Sequence, residues 1–135
     1  MSADPVLANL PRLGFGGAGI GNLYAPVSDA AAEATVQAAL EAGVRYFDTA
    51  PHYGFGLSET RLGRALAGRA DVVVSTKVGR LLVPTADRSR SRHGFVDAAP
   101  FEPTFDYGYD AVMRSWEESR ARLGRDRIDI LLAHD

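Results

Sequence analysis

The sequence has no cysteine. That absence excludes disulfides, thiolate metal sites, thiol nucleophiles and iron–sulfur clusters, so any chemistry must use oxygen, nitrogen or a borrowed cofactor. An excess of charge of one sign is also missing: 15 basic against 17 acidic residues leave a net charge of -2. Nucleic acid and anionic membrane surfaces are therefore not expected partners. Long apolar runs are absent as well. The longest uncharged stretch, Leu13 to Ser28, holds five glycines together with Asn22 and Pro26, a composition unfit for a membrane-spanning helix. The opening Met1-Ser2-Ala3-Asp4-Pro5 lacks the basic and then apolar order of a secretory signal, which makes the cytoplasm the expected compartment. Lysine is almost missing: 14 of the 15 basic residues are arginine, and the single lysine is Lys77. An arginine-favouring coding bias accounts for the arginines but not for the one position that kept an ammonium, a group whose pKa shifts readily where that of arginine does not. Lys77 is the first residue to suspect of chemistry.

What is present is enough for one folded domain. The 135 residues, 46% hydrophobic and 24% charged, match the average of globular chains that bury a core. Arg12 to Gly16 reads as a short strand entering a glycine-rich turn. Ser28 is a candidate N-cap for a helix whose alanines, valine and leucine run at helical spacing until Gly43. Val44 to Asp48 reads as a second strand, then a turn-rich loop from Thr49 to Gly56, then a helix from Ser58 to Leu66 stopped by Gly68. The run Asp71-Val72-Val73-Val74-Ser75-Thr76-Lys77 suits a strand buried on both faces of a parallel sheet. Arg80 to Tyr109 mixes three prolines with the charged stretch Asp87 to Arg92 and reads as a long loop, a candidate lid or a mobile insertion. A helix from Asp110 to Leu123 and a fourth strand from Ile128 to His134 complete the chain.

Repeated βα units place polar residues at the C-terminal ends of the strands, the edge that carries chemistry in α/β folds. A (β/α)8 TIM barrel and an open doubly wound sheet both fit. The barrel needs about 250 residues, so this chain would supply its first four β/α units. Gly14-Phe15-Gly16-Gly17-Ala18-Gly19 matches the G-x-G-x-x-G of dinucleotide-binding sheets. That fingerprint works by opening directly into a helix, whereas here Gly21 to Pro26 intervenes, and no acidic residue stands about 20 positions on.

Three strand ends carry a more telling set: Asp48 with Tyr53 just beyond it, Lys77, and His134. Singly, each has a structural explanation: a turn cap, a loop cover, a solvated strand terminus, a satisfied histidine. Together they make an acid–base system. A phenol has a reference pKa near 10, so it needs an adjacent cation to ionise near neutrality, and a carboxylate can hold that cation in place. The histidine then offers an electrophilic contact to a carbonyl oxygen. His52 is left to pack beside Tyr53, and His93, in the arginine-rich segment, reads as a solvated surface position.

Gly43-Val44-Arg45-Tyr46-Phe47-Asp48-Thr49-Ala50-Pro51-His52-Tyr53-Gly54, followed by Ser58-Glu59, resembles the signature of the aldo-keto reductases. Leu13 to Gly17, Ser75 to Gly79 and Asp129 to Asp135 look like the same family's first, third and fourth strand motifs. The resemblance covers nearly the whole chain. It implies a (β/α)8 barrel with residues 1–135 as its N-terminal half, NAD or NADP as cofactor, and a catalytic tetrad of Asp48, Tyr53, Lys77 and His134. It further implies that Gly16, Gly17, Ala18 and Asp48 line the nicotinamide end of the cofactor. Within the family, the segments Gly19 to Tyr24 and Lys77 to Pro84 look most like the aldose 1-dehydrogenase branch, with pyridoxal 4-dehydrogenases similar, so a small sugar or carbonyl compound is the expected substrate. The second half of the barrel lies outside these 135 residues, which suggests a fragment or a truncated reading frame. Four parallel strands cannot close, and their open edges would favour self-association.

Overall fold

In the computed structural model, which describes residues 4–135, the Ser28 hydroxyl accepts a hydrogen bond from the Ala31 amide at 3.1 Å and starts the helix Asp29–Glu41. Met1 to Ala3, part of the segment read above for a leader, lie outside the described residues. In chain order the elements are α1 (Pro5–Ala8), β1 (Phe15–Gly16), a 3-10 turn (Gly19–Gly21), α2 (Asp29–Glu41), β2 (Tyr46–Asp48), α3 (Leu57–Ala65) and β3 (Val73–Val78). There follow β4 (Arg80–Pro84), β5 (Ser91–Arg92), β6 (Phe95–Val96), β7 (Phe101–Phe105), α4 (Tyr109–Leu123) and β8 (Ile130–Ala133). Strands β1, β2, β3 and β8 form one parallel sheet in that order. The glycine run after β1 leads into a 3-10 turn, with α2 beginning at Asp29, so the dinucleotide fingerprint is not realised.

Strand alternation sorts side chains into two layers. Phe47 of β2 and Val74 of β3 point to the helical side, where both are fully buried with Ile20, Leu62, Leu66 and Leu123. Helix α2 adds Ala32, Val36 and Leu40, spaced four apart so that they fall on one face. The same alternation puts Tyr46, Asp48, Ser75 and Lys77 on the opposite side of the sheet. Thr76, between Ser75 and Lys77, faces the helices and donates to the buried carboxylate of Glu59 at 2.6 Å. Arg122 of α4 donates to the other oxygen of that carboxylate at 2.5 Å. Strand β3 is thus tied to α3 and α4 by a polar bridge under the core.

The segment read as a loop between Arg80 and Tyr109 is structured. Strands β4 and β7 pair antiparallel, Arg80 opposite Phe105 and Pro84 opposite Phe101, and β5 pairs with β6 inside that hairpin. Its prolines argued against strands, but a two-stranded ribbon is all edge, where proline is tolerated. The insertion carries its own small core: Leu82 and Phe95 bury against Phe55, with Leu23, Tyr53 and Phe101 packed around them. Asn22 fastens it, its amide donating to Val96 O at 2.9 Å while its oxygen accepts from the Val27 amide and from Arg61.

Glu59 is fully buried, so its only tolerable state is a paired one. Arg122→Met should lower unfolding stability by about 3 kcal/mol through the charge it strands, and adding Glu59→Gln should recover most of that loss; urea unfolding of the single and double variants measures both.

Candidate active site

Parallel register decides which side chains meet. Asp48 is opposite Ser75, and Lys77 lies two residues further along the same face. The Lys77 ammonium donates to Asp48 Oδ2 at 2.7 Å and to the Thr49 carbonyl at 2.8 Å. Ser75 donates to Asp48 Oδ1 at 2.6 Å and lies 3.1 Å from the Tyr46 hydroxyl, so both carboxylate oxygens are engaged and the group cannot rotate away. Sequence reasoning missed Ser75 and the Thr49 carbonyl. The signal for Ser75 was the Ser-x-Lys spacing, which in a strand sets both residues on one face.

Tyr53 follows the end of β2 in a tight turn. Its amide donates to Ala50 O at 3.1 Å and its carbonyl accepts from the Ser58 amide at 3.1 Å. Gly54 holds φ of +66°, and a Cβ there would come within 2.4 Å of Gly21 O, so the turn that aims Tyr53 requires glycine. The Lys77 ammonium sits 4.8 Å from the centre of the Tyr53 ring, within cation–π reach. The His134 ring meets the Tyr53 ring edge-on at 5.9 Å, and its amide donates to Val78 O at 2.9 Å, extending the β3–β8 ladder by one bond. The structure therefore gathers Asp48, Tyr53, Lys77 and His134 at one end of three adjacent strands.

Gly16, Gly17 and Ala18 lie beside them at the end of β1. Gly17 donates to the Asp48 carbonyl at 2.8 Å, and a Cβ on it would reach that oxygen at 2.7 Å and Ser58 Oγ at 2.8 Å. Ser58 in turn donates to Gly17 O at 2.7 Å and accepts from Thr49. A Cβ on Gly16 would meet nothing within 4 Å. Gly17 is thus packed closely against Asp48 and Ser58, while Gly16 borders open space. The concave regions around Gly68 to Ala70 with Gly124 to Arg127, and around Val72 with Asp129, lie at the opposite ends of β3 and β8.

His93 is exposed, as expected, but it is not without partners. It reaches back to the site, stacks edge-on with His52 at 5.8 Å and pairs through Nε2 with the Glu102 carboxylate. His52 lies in a nest formed by Phe55, His93, Phe95 and His134, which are its ring partners in place of Tyr53. Burial above all, and then the positive charge of Arg80, push the His52 pKa from 6.5 down to about 4. The same two causes, in the same order, lower that of His134.

The aldo/keto reductase family model matches residues 12–135. The chain belongs to this family. A D-threo-aldose 1-dehydrogenase of a Pseudomonas species is 46% identical to it over 132 residues, covering 93% of this chain and 40% of the relative. A pyridoxal 4-dehydrogenase of Microbacterium luteolum is 44% identical over 133 residues, covering 91% and 39%. Among solved structures, an aldo-keto reductase of Klebsiella pneumoniae in complex with NADPH superposes with a TM-score of 0.64 at 26% identity, covering 92% of this chain and 35% of that one. The chain spans about two fifths of the length of the curated relatives it matches. Its parallel sheet is the first part of the aldo-keto reductase (β/α)8 barrel, with four of the barrel strands and β4 to β7 inserted after the third.

Because the folded-state pKa of His52 lies below its unfolded value, the unfolded chain binds that proton more tightly. This contribution to stability is complete above pH 6.5 and is lost as pH falls toward about 4, and His134 adds to it with the same sign. Urea unfolding across that range should show the slope, and His52→Phe should flatten it.

Proposed function

We propose that this chain carries the catalytic half of an NAD(P)-dependent aldose 1-dehydrogenase, which oxidises the C1 hemiacetal of a sugar of the L-fucose, L-galactose or D-arabinose type to a lactone. The single observation that carries this reading is the Lys77 ammonium, held by Asp48 and Thr49 under the Tyr53 ring with His134 alongside. The two dehydrogenase relatives support the branch, and the NADPH complex of a family member supports the cofactor.

Each residue then has a role that its position permits. Tyr53, as phenolate, takes the proton of the C1 hydroxyl through Oη, which no described protein group bonds. Lys77 stabilises that phenolate, because its positive charge is fixed beside the ring rather than free in solvent. Asp48 anchors Lys77 and is itself held by Ser75. His134 orients the same substrate oxygen. The backbone of Gly16, Gly17 and Ala18, together with Asp48, would line the nicotinamide ring, which when bound supplies the acceptor for the C1 hydride. In the reducing direction Tyr53 returns the proton to the forming alcohol.

The pyridoxal 4-dehydrogenase relative supports a second reading, oxidation of pyridoxal at the same site, and general aldehyde or ketone reduction would use the same residues. From another class, β8 is paired on one side among the described residues and exposes 41% of Leu131 and of Leu132, an apolar edge that supports self-association of this chain.

Reduced nicotinamide should accumulate when L-fucose, L-galactose or pyridoxal is mixed with NAD⁺ or NADP⁺, and the preferred sugar should identify the branch. Tyr53→Phe should cut turnover by about 10³-fold, as expected for loss of a general acid–base group. No reduction with any of the three substrates would overturn the dehydrogenase assignment; full activity in Tyr53→Phe would overturn the mechanism. A concentration-independent monomer in sedimentation would count against self-association.

A further inference from the structure

The chain has three histidines, at positions 52, 93 and 134, and the fold brings all three rings to one edge of the site. His52 lies in the middle, 5.7 Å from His134 and 5.8 Å from His93, and edge-on to Phe95 at 5.4 Å. The tetrad chemistry has no use for it. Its position is nevertheless set by its neighbours: His93 comes from the insertion and is paired with the Glu102 carboxylate, while Phe55 and Phe95 pack edge-on against the ring.

The nitrogens of His52 and His134 are placed alike. In each ring Nδ1 is sealed from solvent with no hydrogen-bond partner. An N–H sealed without an acceptor is the rarer and costlier arrangement, so the proton of each neutral ring belongs on Nε2 and Nδ1 keeps a bare lone pair. Nε2 bonds no described protein group and is not sealed in this way, so it is the nitrogen that a ligand can reach. Two neighbouring imidazoles therefore present two N–H donors, that of His134 beside Tyr53 and that of His52 beside His134. One of them, on His134, serves the reacting oxygen in the reading above. The other needs a second oxygen close to the first.

We propose that His52 is a specificity-determining residue whose Nε2–H donates to an oxygen on the carbon next to the reacting one, so that the site prefers 2-oxygenated carbonyl compounds and their hemiacetals over 2-deoxy analogues. This rests on the dehydrogenase reading for the place of the reacting carbon. The depressed basicity of His52 agrees with it, since a neutral ring can keep Nδ1 bare while donating from Nε2.

The test begins with the chain labelled with nitrogen-15 histidine. Long-range proton–nitrogen correlation near neutral pH should show His52 neutral and protonated on Nε2; a proton on Nδ1 overturns the proposal. Initial rates with L-galactose and 2-deoxy-L-galactose then follow for the wild type, His52→Phe and His52→Gln. The wild type should prefer the 2-hydroxy sugar by about tenfold in kcat/KM, the worth of one hydrogen bond. His52→Phe should bring the two sugars near parity. His52→Gln, whose amide N–H takes the place of Nε2–H, should restore the preference, which a merely structural role for the ring would not do. An unchanged ratio in His52→Phe overturns the proposal while leaving the dehydrogenase reading intact. If the wild type oxidises neither sugar, L-galactose is excluded as its substrate. The hydrogen bond is then decided by whether L-galactose, but not its 2-deoxy analogue, shifts the His52 signal.

Discussion

A lone ammonium held between a carboxylate and a carbonyl organises this molecule. Lys77 is mostly buried, and taking its charge out of water is tolerable only because Asp48 and Thr49 O lie 2.7 and 2.8 Å away. Both partners sit at the end of β2, so the ion pair demands the parallel register that sets Asp48 opposite Ser75. Register, in turn, is held by the side chains that alternate to the other face. Phe47, Val74 and Thr76 can be buried under the helices only if Asp48, Ser75 and Lys77 point away from them.

Polar bridges hold the layers around that pair. Glu59 receives Thr76 from the sheet and Arg122 from α4, which joins the Lys77 strand to two helices through one buried carboxylate. Arg61 does comparable work on the other side, donating to the carbonyls of Ile20 and Val27, to Asn22 and to Asp29. Asn22 continues the path to Val96 of the insertion. The loop that aims Tyr53 is consequently braced from the turn after β1, from α3 and from the insertion, although each contributes only a few contacts. An aromatic side chain on a short loop becomes a positioned group by this means.

The strands and long helices were legible because their patterns are local. Ser28, with helical spacing behind it, marked α2, and the β-branched run from Val72 marked β3. Asp48, Tyr53, Lys77 and His134 were legible because residue type and strand-end position coincided, and because one lysine among fourteen arginines drew attention to itself. The insertion was not legible. Phe55, Leu82 and Phe95 come from three separate segments, so the core that orders β4 to β7 has no periodic signature along the chain. The partners of His93 were hidden for the same reason, since Glu102 and His52 meet it only in the folded chain.

Family membership and the identity of the four strand-end residues follow from order and spacing along the chain, which a linear reading captures in full. Contacts between segments distant in sequence belong to the tertiary structure alone. Packing and hydrogen-bond geometry decided that Ser75 would lock Asp48 and that Gly21 would press against the Tyr53 turn. They also decided that three scattered histidines would share one edge of the site. Each of those outcomes depends on distances of a few ångströms between groups 27 to 82 positions apart, and no local periodicity encodes such a distance.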